Sequence, residues 1–225
     1  MAERLEGADP AGSEAKLNDV SAQASLAGEL TEIATGHKTN PPVPGKLDFL
    51  IHPDYKTASR GETSEHEQAA KDQWLEEIEK IAADPRRILI ILSSSTASEQ
   101  DEGQAVDVEL ISTAEKQLGT RCIVAPYIEE DLSVYADEIK KALVQSGLID
   151  GRDLTAFSSS AFGEYAEACV VQIADELNRH LGLKKKTQVK TRMSLSIHGE
   201  NNPGVNTEVR RIINELHLNR VVTND

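Results

Sequence analysis

Twice in this chain an imidazole precedes a carboxylate by two positions, His52 with Asp54 and His198 with Glu200. Brought together, the four side chains could bind a divalent metal and assist hydrolysis, or serve as general acid and base. Taken singly, a histidine at a strand exit caps a loop and Pro53-Asp54 makes a turn. A second stretch, Ser158, Ser159 and Ser160 running on to Gly163, offers hydroxyls and backbone N–H groups that could cradle an anion or an oxyanion. Serines at strand exits also act as ordinary caps and turns. With His198 and Glu200, these residues form the expected ligand-binding set.

The third candidate is a thiol. Cys169 is expected one turn inside a helix that leaves a strand, where the positive end of the helix dipole lowers a thiol's pKa and makes a nucleophile. The competing role is packing, because Ala166, Cys169, Val170 and Ile173 fall on one apolar stripe. The run Gly163-Glu164-Tyr165-Ala166-Glu167-Ala168-Cys169-Val170, with Ala174 beyond it, resembles the Gly-to-Cys-Val turn of the isochorismatase-like cysteine hydrolases. That resemblance implies an α/β fold with a parallel sheet and a cysteine nucleophile at Cys169. It also implies an acid after the first strand, for which Asp54 is nearest, and a lysine between. Lys140 and Lys141 fall in mid-helix, so the sequence supplies no clear lysine. His52 is the other candidate base.

The elements that must position these groups follow from apolar periodicity. Short apolar runs alternate with amphipathic stretches from Leu47 onward, which predicts βα units around a mostly parallel sheet of about five strands, three-layered, with helices on both faces. The expected strands are Leu47 to His52, Arg87 to Leu92, Arg121 to Tyr127, Leu154 to Ser158 and Val189 to Ile197. Each is followed by a helix. Ser64 and Glu67 stand in capping-box spacing before Trp74, Ile78 and Ile81, and Pro85 stops that helix. Gly119, Gly147 and Gly182 close the next three, and Val205, Val209, Ile212, Ile213 and Leu216 mark the last. Right-handed crossovers are expected throughout. Residues 1–45, polar and ending in Pro41-Pro42-Val43-Pro44-Gly45, are expected to form a flexible acidic leader to a single domain over 46–225.

Composition narrows the partners. With 38 acidic against 24 basic residues the formal charge is −14, which repels phosphate backbones and anionic membranes, so neither nucleic acid nor a membrane is an expected partner. The basic cluster Lys184, Lys185, Lys186, Lys190 and Arg192 is expected to solubilise an edge strand. No apolar run approaches the roughly 20 residues of a bilayer span, and the N-terminus lacks the order of a secretory signal, so a cytoplasmic location is expected. Two cysteines, Cys122 and Cys169, cannot form a multi-cysteine zinc site. The chain contains neither GxGxxG nor GxxxxGK[ST], and no cofactor is expected. A small-molecule ligand is, and a homo-oligomer is compatible with the helix faces. Three functions remain: cysteine-dependent hydrolysis of a small amide or ester, ligand or protein binding without catalysis, and metal-assisted hydrolysis.

Overall fold

The computed structural model describes residues 45–53, 65–93, 108–126, 132–149, 153–196 and 204–223. By its internal contacts the chain divides into two units, Met1–Asn40 and Pro41–Asp225, and all described residues belong to the second. The described elements alternate regularly: β1 (Lys46–Ile51), α1 (Glu65–Ala83), β2 (Arg87–Ser93), α2 (Val108–Leu118), β3 (Cys122–Pro126), α3 (Leu132–Gln145), β4 (Ser158–Tyr165), α4 (Val171–Leu181), β5 (Thr187–Leu195), α5 (Val205–Glu215) and β6 (Val221–Thr223). A 3-10 turn, Gly119–Arg121, leads into β3, and a π-helical turn, Ala166–Val170, joins β4 to α4.

All six strands are parallel, in the order β3-β2-β1-β4-β5-β6. This is a doubly wound, Rossmann-like order in which the direction of winding reverses between β1 and β4. Right-handed crossovers then put the helices of the two halves on opposite faces. Trp74, Ile78 and Ile81 of α1 and Leu110 and Ala114 of α2 pack on Leu50, Leu89, Ile91 and Phe162. On the other face α3, α4 and α5 cover Leu47, Phe49, Ile51, Ile88, Ile90, Leu92, Ala161 and Val189. The three-layer expectation is met, with one strand more than expected. Strand β6 has only three residues, too short to stand out as an apolar run.

Two readings need correction. The fourth strand starts at Ser158, where the sequence reading had it end. Alternation sends Ser159 to one face, where its hydroxyl meets Thr187 Oγ1 at 2.7 Å, and Thr187 in turn accepts from Asn178 Nδ2 at 2.9 Å. It sends Ser160 to the other, where its hydroxyl donates to Asp48. Buried hydroxyls find polar partners on both faces here, which apolar counting does not detect. The second correction concerns Lys190. Strand β5 lies inside the sheet, between β4 and β6, so its lysine guards no edge. The Lys190 side chain is only 15% exposed and bonds Glu77 of α1 at 2.7 Å. Lys184, Lys185, Lys186 and Arg192 do remain exposed.

One contact ties the elements of the first half together. The Arg121 guanidinium donates to the carbonyls of Ile81, Ala82, Asp84 and Arg87 at 2.8–3.2 Å, filling acceptors left open at the C-terminus of α1 and one at the start of β2. Arg121→Ala should lower stability by about 1.5–3 kcal/mol, the worth of hydrogen bonds to a charged donor. Arg121→Lys should recover less than half of that, because one ammonium cannot span four carbonyls. Urea denaturation of the three proteins checks both statements.

Candidate functional site

In an open parallel sheet, ligands bind beyond the carboxyl ends of the strands where the winding reverses, since the connections on either side diverge to opposite faces and leave a crevice. Here that place lies between β1 and β4. The register pairs Ile51 with Gly163, so His52, where the chain leaves β1, neighbours Glu164, the last residue but one of β4, on strands about 4.8 Å apart. His52 is 5% exposed and holds φ +51°, an uncommon conformation for a residue with a side chain. Its N–H still donates to the Leu92 carbonyl at 2.9 Å, so the turn starts abruptly at the last rung of the ladder. Ser93, fully buried at the end of β2, flanks it.

Gly163 makes the close approach possible. Its φ is +147°, and a Cβ there would lie 2.0 Å from the Ile51 carbonyl oxygen. From this point β4 and β5 fall out of register, Ala161 pairing with Val189 but Gly163 with Ser194. The Ser194 hydroxyl bridges the gap: it accepts from Gly163 N–H at 3.2 Å and donates to the Lys190 carbonyl at 3.1 Å. Trp74 of α1 steadies the same bulge by donating its indole N–H to the Met193 carbonyl at 2.7 Å. Bulges of this kind re-aim side chains beside binding sites.

Beyond Gly163, β4 passes into helix with no intervening loop. Glu164 is 1% exposed and Glu167, in the π-helical turn, is 2% exposed. The Ser196 hydroxyl, just past the end of β5, donates to Glu167 Oε1, while Oε2 is buried without a hydrogen-bond partner. Cys169 lies in the same π-helical turn, packed against the α3–α5 side of the core but partly exposed. A π turn inserts one residue into a helix and often marks a functional position. The other thiol, Cys122, is different in character: burial, then the charge of Glu115, pushes its pKa up to about 12.

Of the residues singled out from sequence, the fold gathers His52, Gly163 and Cys169 on the carboxyl side of the sheet. Ser158, Ser159 and Ser160 do not join them. They lie at the amino-terminal end of β4, where Ser158 bonds the Gly45 carbonyl at 3.2 Å and the other two are engaged as described. Asp54, His198 and Glu200 lie outside the described residues. Among those described, no group of three or more His, Cys, Asp or Glu side chains could hold a metal ion. Lys140 bonds the His180 carbonyl at the C-terminus of α4, at 2.7 Å, which places its amine at the opposite end of that helix from Cys169. Glu164, Glu167, Ser194 and Ser196 were missed. Reading the fourth strand four residues too early hid Glu164 and Glu167, although Ser160, Phe162 and Glu164 alternate with Ser159, Ala161 and Gly163 as a strand requires. Ser194 and Ser196 fell in the strand expected over Val189 to Ile197 and gave no separate signal.

A second polar cluster escaped sequence reading. Asp48, in the middle of β1 and fully buried, accepts from Arg87 Nε at 2.8 Å and lies 3.3 Å from Lys46 and 3.8 Å from Lys190. Glu77 of α1 closes the group, 2.6 Å from Arg87 and 2.7 Å from Lys190. Burial pushes the Asp48 carboxyl up, but the Arg87 hydrogen bond and the three surrounding cations outweigh it and hold the group below its ordinary 3.8. Glu77 is likewise held below its ordinary 4.5, the Lys190 and Arg87 hydrogen bonds overcoming burial. Burial lowers Lys190 in spite of its two carboxylate partners. The cluster lies beneath α1, with only Lys46 more than a quarter exposed, and its charges answer one another. It holds the helix to the sheet, and Lys190, 5.2 Å from the centre of the Phe162 ring, links it to the residue just before Gly163.

No family model and no curated protein sequence matches this chain. Among the described residues no helix is long and apolar enough to cross a membrane.

Proposed function

We propose that this chain binds a small molecule in the crevice between the carboxyl ends of β1 and β4. The observation that carries this reading is the reversal of winding at that point, lined by the buried His52 and Glu164 and made close-fitting by Gly163. Buried polar side chains in such a crevice orient a ligand.

A sharper version makes the protein a cysteine-dependent hydrolase of a small amide or ester. It is favoured by one specific feature, the partly exposed Cys169 in the π-helical turn that opens α4, and by the resemblance of that turn to the isochorismatase-like hydrolases. In this reading the Cys169 thiolate attacks the carbonyl carbon and forms a C–S bond. The C–N or C–O bond then breaks, the leaving group takes a proton, and water hydrolyses the thioester. With Lys140 held at the far end of α4, the proton is carried by His52 or Asp54. Fold alone does not specify chemistry, so the non-catalytic ligand-binding module is the same proposal without this step.

Alkylation by iodoacetamide as a function of pH separates the two. Cys122→Ser isolates the signal, and the high pKa of Cys122 already makes that thiol slow. Rapid labelling of folded Cys169 with an apparent pKa below the free-thiol value of about 8.5 is the result expected of a nucleophile. Labelling only on unfolding would end the hydrolase reading and leave binding alone.

A further inference from the structure

We infer that the carboxyl of Glu167 receives a small organic cation, a primary ammonium group, between the ends of β4 and β5. The inference rests on the reading of this edge as a small-molecule site and adds the chemical class of the ligand. Its starting point is an unanswered acceptor. Glu167 is 2% exposed; Ser196 donates to Oε1, and Oε2 is buried with no donor. A buried acceptor left without a partner costs about 1–3 kcal/mol, more for a charged group. Because Ser196 immediately follows β5, the carboxyl stands on the carboxyl side of the sheet, where a ligand enters. The helix start favours a negative group there, yet supplies no donor to this oxygen.

The charge around it selects the donor. No ion pair to Lys, Arg or His involves Glu167 among the described residues, in contrast to Asp48 and Glu77, which are enclosed by cations. A neutral hydroxyl would satisfy Oε2 but leave the Glu167 carboxylate without a counter-charge. A metal ion would require more ligands than the described residues assemble. An ammonium supplies up to three N–H donors and a positive charge, and needs only a few acceptors. The formal charge of −14 draws such a cation towards the protein.

Titration of the isotope-labelled full chain with ethylammonium chloride, followed by backbone amide NMR, tests this. Tetramethylammonium chloride at equal ionic strength is the control, a cation of the same charge with no N–H. Saturable shifts at Glu164–Val170 and Ser196 are expected with ethylammonium and not with tetramethylammonium. Glu167→Gln, which keeps the shape and can still accept from Ser196, should weaken binding at least about tenfold. Equal responses to the two cations, or unchanged binding by the variant, would overturn the inference. If the variant does not fold, wild-type shifts confined to residues away from this turn overturn it equally. Rapid alkylation of Cys169 in a protein that ignores ethylammonium would remove the cation and leave the proposed function standing.

Discussion

Asp48→Ala should destabilise the domain by about 3–5 kcal/mol, the usual cost of removing one partner from a buried ionic group. The side chain is fully buried, and its loss leaves Arg87, Lys190 and Lys46 facing one another with only Glu77 between them. The hydroxyl of Ser160 loses its acceptor as well. Asp48→Asn should fall only slightly short of this, since the amide keeps the volume but not the charge. Adding Arg87→Met to Asp48→Ala should restore part of the stability, because Glu77 and Lys190 then remain as a matched pair. A urea double-mutant cycle reads the coupling directly, and additivity of the two substitutions would refute the interaction.

The same cluster sets the response to acid. Asp48 and Glu77 are both held below their ordinary values of 3.8 and 4.5 in the folded protein. A carboxylate with a depressed folded pKa binds fewer protons when folded than when unfolded, so stability rises with pH across the interval between the two values. Their contribution is therefore complete above about pH 4.5 and declines below it as the pH falls through the folded values. Urea midpoints between pH 6 and pH 3 should fall steeply in the wild type. In Asp48→Ala the slope should be shallower below pH 4. Parallel slopes in the two proteins would show that the acid response originates elsewhere.

Gly163→Ala should be the most damaging single methyl addition in the described fold. The new Cβ would lie 2.0 Å from the Ile51 carbonyl oxygen and under 3.0 Å from its nitrogen and carbonyl carbon, all rigid backbone. The φ of +147° adds conformational strain that only glycine avoids. β1 and β4 cannot separate without breaking the central ladder, so the expected loss is about 4 kcal/mol or more. Gly119→Ala is the natural control. It also has positive φ, but its added Cβ meets nothing within 4 Å, and it should cost only about 1 kcal/mol. If Gly163→Ala were no worse than this control by thermal and urea denaturation, the close approach of β1 and β4 would not be what forms the crevice floor.

The first helix, with Trp74, Ile78 and Ile81 on one face, was legible because a 3.6-residue period persists over 19 residues. Strand β4 was misplaced because its residues, Ser158 to Tyr165, include three serines and a glycine, and its burial depends on partners distant in sequence. Asp48 carried a signal that went unused: a carboxylate between Leu47 and Phe49 in a buried strand demands a cation. Which cations answer it could not be read, since Arg87 and Lys190 lie 39 and 142 positions away.

From the sequence alone came the alternation of strand and helix, the two-faced α/β architecture and the histidine and cysteine worth following, because these depend on local periodicity and residue type. The strand order, and with it the reversal between β1 and β4, was decided by tertiary structure. So were the contact of Gly163 with Ile51, the enclosure of Asp48 and the unanswered oxygen of Glu167. Each of these is a relation between segments far apart in the chain, settled by which pairings satisfy buried polar groups while filling the core.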